Sequence, residues 1–172
     1  MSSLSDAFAF FGTKLRNARL DLSTRSEADK TVVVALWRDR FDYSARPAVT
    51  YSLRLTGQPA DWLDQPGNRA RLEDLRWARE HCEGRFRVVV LEAADPAAEP
   101  RAVSGASPQQ LMVMKLTELD EQTGEFAAAA ERIVLPPRPN AMGDAPIPTK
   151  KKKGGKQKAG NRSVSAAPTA GA

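Results

Sequence analysis

The sequence predicts an α+β fold: a small mixed, mostly antiparallel sheet or open barrel with two packed helices, joined to a disordered C-terminal tail. Three observations predict it. Strand patterns outnumber helix patterns, in the order α-β-β-α-β-β-β, and only one connection between strands carries a helix. Two strand segments, 31–37 and 86–92, are apolar on both faces and belong inside a sheet. From Pro136 onward the chain turns to proline, glycine, alanine and lysine, which cannot bury enough apolar surface to fold. Residues 1–135 are therefore expected to form one globular domain, and residues 136–172 a disordered basic tail. Deletion after Leu135 is expected to leave the melting temperature nearly unchanged. A drop of several degrees would show that the tail packs on the domain.

Each element has its own justification. Residues 5–19 suit a short helix capped by Ser5, with Phe8, Phe11 and Leu15 on one face and Gly12 as its weak point. Residues 20–30 are polar and read as a loop. The 31–37 strand leads into a polar-aromatic connection ending at Pro47. In 49–55, Val49, Tyr51, Leu53 and Leu55 alternate with Thr50, Ser52 and Arg54, the pattern of a half-exposed strand, expected antiparallel to the first. After a loop over 57–67, Asn68 is the expected N-cap of a helix that runs to about Cys82 and stops at Gly84. Its buried stripe should comprise Leu72, Leu75, Ala78, Arg79 and Cys82, with Arg69–Glu73 and Arg76–Glu80 pairing on the exposed side. Val34, Leu75, Val88 and Val90 are the expected centre of the core. Residues 94–108 read as turns, 111–116 as a strand, 120–124 as a turn, and 126–135 as containing the last strand.

Charge divides the chain in two. The net charge is +5, but residues 136–172 hold eight basic residues and one acid, whereas residues 1–135 hold 18 basic and 20 acidic residues, a net −2. The body uses 15 Arg and 3 Lys, and the tail six Lys and two Arg. The lysine cluster thus runs against the composition of the rest of the chain, as flexible point charges would. The single cysteine, Cys82, precludes an internal disulfide and fits a reducing compartment. No apolar run reaches the ~18 residues of a membrane helix, and the N-terminus lacks the pattern of a signal peptide. A cytoplasmic location with no membrane partner is the expectation.

Catalytic signatures are sparse. There is no P-loop, no glycine-rich dinucleotide fingerprint and no nucleophile elbow. His81 and Cys82 are adjacent on a helix, so they diverge by ~100° and cannot form a dyad. One His and one Cys also fall short of a zinc site. The acids Asp39, Asp42, Asp61, Asp64, Glu73, Asp74 and Glu92 read as solvated surface groups. No catalytic residue, metal or cofactor is expected.

Two segments suggest binding. In 37–46, arginines and aromatics interleave: Arg38, Arg40 and Arg46 suit phosphates, while Phe41 and Tyr43 suit stacking on bases. The competing expectation is a hairpin in which Asp39 and Asp42 neutralise the arginines and the two rings close the core. In 150–158, Lys150, Lys151, Lys152, Lys153, Lys156 and Lys158 place six lysines in nine residues. Such a run neutralises phosphates by counterion release without reading sequence. The partner expected is nucleic acid, DNA or RNA, or else an acidic protein. The leading expectation is a non-enzymatic nucleic-acid-associated protein whose basic tail supplies general phosphate affinity. The alternatives are a protein–protein adaptor using Trp62 and Trp77 with a solubilising tail, and a carboxylate-dependent enzyme.

Overall fold

A computed structural model of the chain describes residues 2–45, 48–54, 61–98 and 100–131. Arg46, Leu55, the six clustered lysines and the whole 136–172 segment lie outside them. The described residues form an α+β fold with a seven-stranded mixed, mostly antiparallel sheet and two helices. The sheet does not close into a barrel. Among the described residues no helix is long and apolar enough to cross a membrane.

The strands are β1 (Ser23–Ser26), β2 (Thr31–Trp37), β3 (Phe41–Asp42), β4 (Thr50–Leu53), β5 (Arg85–Ala93), β6 (Val103–Leu119) and β7 (Phe126–Glu131), ordered β1-β2-β5-β6-β7-β4-β3. Among the described strands only β2 and β5 run parallel, with Val34 opposite Val88. As doubly apolar strands should, both sit inside the sheet and are buried on both faces. Val32, Val34, Leu36, Val88 and Val90 face one side, where Leu75 and Ala78 of α2 (Pro66–His81) pack with Tyr51, Met114 and Phe126. Val33, Ala35, Val89 and Leu91 face the other, against Phe8 of α1 (Leu4–Ala9) and Leu15. The four residues expected at the core's centre are all buried.

Four expectations about strands need correction. The 20–30 segment holds an edge strand, β1, antiparallel to β2. Its sequence, Ser-Thr-Arg-Ser, has no apolar alternation because hydrogen bonds, not apolar burial, satisfy it: Ser23 Oγ donates to Asp74 and Thr24 Oγ1 to the Lys14 carbonyl. The connection after β2 contains a 3-10 turn at Arg38–Arg40 and the short β3. β4 pairs with β7 and β3, at the far end of the sheet from β2. Finally, β6 is one 17-residue strand that begins inside the segment read as turns. Pro108 sits opposite Val89 where the register slips, since Arg87 faces Val113 two residues away on β5 but five on β6. A bulge is where a strand tolerates a residue without an N–H.

The helices also start and stop differently from expectation. Ser3, not Ser5, caps α1 by accepting from the Asp6 N–H, and the helix ends well before residue 19. Gly12 adopts φ +72 just beyond it, a conformation glycine enters without strain. α2 starts at Pro66, two residues before Asn68, because proline lacks the N–H that the first helical position would leave unpaired. It ends as expected at Gly84, whose N–H bonds the Ala78 carbonyl at 2.9 Å with φ +77. Arg79 is exposed, and Arg71 and Asp74 take its place in the buried face. The expected pairs within α2 give way to tertiary ones, Arg69 with Asp64 and Arg76 with Glu121.

Gly67 is the point of closest approach. A Cβ there would lie 2.0 Å from the Leu20 carbonyl oxygen. That carbonyl belongs to a braced turn, in which Asp21 N–H bonds the Asn17 carbonyl at 2.9 Å and Asn17 N–H bonds Asp21 Oδ2 at 2.7 Å. Gly67→Ala is therefore expected to force the start of α2 away from the turn, at a cost of ~1–3 kcal/mol or more in urea unfolding. A variant within ~0.5 kcal/mol of wild type would show that the turn yields freely.

Candidate nucleic-acid interface

The 37–46 segment leaves β2 through the 3-10 turn and returns as β3. Three-residue turns of this kind splay successive side chains apart. Arg38 points back to β5 and forms an ion pair with Glu92. Asp39 goes the other way and receives Arg101 Nη1 at 2.9 Å on both carboxylate oxygens. Arg40 is half-buried, with Nη1 donating to the Arg54 carbonyl at 3.3 Å. The two arginines are thus engaged with different parts of the sheet. Asp42 neutralises neither. Its carboxylate organises the next turn, accepting from Ser44 Oγ at 2.6 Å and from the Ser44 and Ala45 N–H groups, and the Ser44 hydroxyl holds it below its usual range.

The aromatics do come together. Phe41 is 8% exposed and meets the buried Tyr51 edge-on at 5.0 Å. Tyr43 stacks on Phe41 at 5.7 Å and is 52% exposed. Phe41 is therefore a core residue with no free face for a base, and Tyr43 is the ring of the pair that offers surface. Arg46 and the six lysines cannot be placed, being outside the described residues.

The tryptophans read as adaptor anchors are half-buried. Trp77 packs against the core, with His81 stacked on it at 4.6 Å and the Arg25 guanidinium 5.8 Å from its ring. Trp62 packs against the same core and lies 5.4 Å from the Arg71 guanidinium. His81 is exposed, with Nδ1 3.1 Å from the Trp77 carbonyl. Cys82 is half-buried rather than buried, its thiol directed at the Lys30 carbonyl and raised above the usual range by burial. Among the described residues no three His, Cys, Asp or Glu side chains converge as a metal site would require.

Two buried charges on α2 were missed by an apolar-only reading. Asp74 is wholly buried, accepts from Ser23 Oγ at 2.6 Å, and pairs with Arg16 at 3.5 Å and Arg25 at 3.4 Å. Arg71 is 3% exposed and has no carboxylate within salt-bridge distance among the described residues. It donates to Asn68 Oδ1 at 3.2 Å and lies over Trp62 and Phe126. Burial lowers its proton affinity, although a guanidinium stays charged. Near it, the Tyr51 hydroxyl is held above its usual range by burial and has no hydrogen-bond partner among the described residues. A signal was present: Gly67, Arg71, Asp74 and Ala78 recur at helical spacing and share one side of α2.

Most surface cations of the body have acidic partners. Nine described arginines form ion pairs, whereas Arg19, Arg40, Arg71 and Arg87 form none with described acids. Compared with known proteins, the chain matches no family model, no curated protein and no solved structure.

Proposed function

We propose that this is a non-enzymatic, cytoplasmic, nucleic-acid-associated protein that takes its phosphate affinity from the 150–158 lysines. The observation carrying this reading is a contrast. Six lysines stand in nine residues of the tail, while the body is net −2 and commits most of its arginines to internal acids. A body of that charge gives little attraction to a polyanion, whereas a lysine run releases counterions from any duplex it meets. Tyr43 and Arg40, both on the 38–43 segment, are the body groups that would add base contacts.

The test is a salt titration of binding to duplex DNA and to RNA. Six lysines engage up to six phosphates, so log K is expected to fall with log[salt] at a slope of up to about −5. Changing all six to glutamine is expected to remove most of that slope. Tyr43→Ala and Arg40→Gln are expected to alter base preference while largely keeping it. Absence of any binding at ~50 mM salt would reject the reading, and the adaptor alternative would then lead.

A further inference from the structure

A cleft of about 710 Å³ opens between the start of α2, the 17–20 turn, Trp37 and the first residues of β6. Small-molecule sites span roughly 300–1,000 Å³, so the size suits a compact ligand. Its walls combine apolar surface from Leu4, Leu22 and Trp37 with two arginines, Arg19 and Arg101. No aspartate or glutamate is among its described lining residues. Arg101 reaches out of the lining to Asp39, whereas Arg19 has no described acidic partner.

The two arginines are in different states. Arg101 is held in place: Nη1 is anchored on Asp39, the guanidinium lies 5.6 Å from the Trp37 ring, and the side chain is 15% exposed. Its Nε–H is buried and has no hydrogen-bond partner. Arg40 and Arg76 have the same buried Nε–H, so any ligand must meet the part of the Arg101 guanidinium that stays exposed. Arg19 is exposed, lies on the turn and makes no ion pair with a described acid. The start of α2 adds positive potential in the same direction, since its first turn carries no acid and Gln65 makes no side-chain cap. Gly67 needs no ligand to explain it, because its contact with Leu20 already does.

We propose that this cleft binds a small organic oxyanion, a phosphate or carboxylate head on a compact apolar body. Arg101 is the preorganised donor to the head, Arg19 the mobile counter-charge, and Leu4, Leu22 and Trp37 receive the body. No lysine is among the described lining residues, so anion binding here is tested separately from nucleic-acid binding.

Calorimetric titration of the full-length chain with phenyl phosphate, benzoate and phenol tests it, since the three share one ring and differ in the head. At least one anion is expected to saturate the protein with a Kd on the order of 1 mM or tighter, and phenol is not. The anion that binds identifies the head. Arg101→Gln is expected to weaken binding at least ~10-fold and Arg19→Gln about 3- to 10-fold, as loss of charge-assisted contacts does. Because Arg101 also braces Asp39, Ala18→Trp supplies a second test: it fills the cleft from an exposed turn position and is expected to abolish binding. A chain with the six clustered lysines changed to glutamine is expected to bind as wild type. Loss of binding in that chain would assign the anion to the lysines and overturn the proposal. So would equal affinity for phenol, no saturation by ~10 mM, or wild-type affinity in the cleft variants.

Discussion

Replacing Leu75 with alanine is expected to lower the free energy of unfolding by ~2–5 kcal/mol. Leu75 is 1% exposed and sits where α2 meets the sheet, among Val34, Val88, Phe86 and Phe126. Its neighbours come from three strands whose positions are set by hydrogen-bonded ladders, so they cannot collapse into the space a removed isobutyl group leaves. The cost is the transfer free energy of the lost atoms plus that of the residual cavity. Against a total stability of ~5–15 kcal/mol for a domain, such a loss is visible as a lower urea midpoint at unchanged m-value. A near-neutral variant would mean that α2 packs through another face.

Removal of the Asp74 carboxylate is the other large effect. Asp74→Ala is expected to cost about 2–3 kcal/mol, mostly because the buried Ser23 hydroxyl loses its acceptor and β1 loses its tie to α2. The cost stays below that of breaking a fully buried pair, because Arg16 and Arg25 are 54% and 29% exposed and water can take up their charge. Asp74→Asn keeps an acceptor for Ser23 and is expected to cost less.

The same carboxyl gives a pH signature. Burial is the largest influence on it and raises its pKa above the usual 3.8, against the Ser23 hydrogen bond and the two arginines, which lower it. A raised folded pKa means that the folded state holds its proton more tightly than the unfolded state. The resulting stability is fully present below the unfolded pKa and is lost as pH rises through the folded one. Relative to Asp74→Asn, the wild type is therefore expected to gain stability between about pH 7 and about pH 4, a comparison in which the other carboxylates cancel. A gap that narrows on acidification would show that the arginines outweigh burial.

Legibility differed from element to element for physical reasons. β2 and β5 were evident from unbroken runs of β-branched residues, because strands buried on both faces need apolar side chains at every position. β1 was not, because its four polar residues are satisfied by partners up to 51 positions away. The length of β6 was hidden by Pro108, which reads as a breaker until the bulge opposite Val89 is seen. In 37–46 the residue types were right for a reader of bases, but local charge alone could not tell that Arg38 meets Glu92 and Asp39 meets Arg101.

By itself the sequence determined the composition-level facts: an α+β domain built on two doubly apolar strands and one long amphipathic helix, and a positive excess confined to residues 136–172. These follow from local periodicity and from counting, which need no knowledge of neighbours. Tertiary structure alone decided strand order, the burial of Arg71 and Asp74, the partners of the described arginines, and the cleft at Arg19 and Arg101. Each of these depends on pairs distant in sequence, and a charge's meaning is set by what folding places within ~4 Å of it.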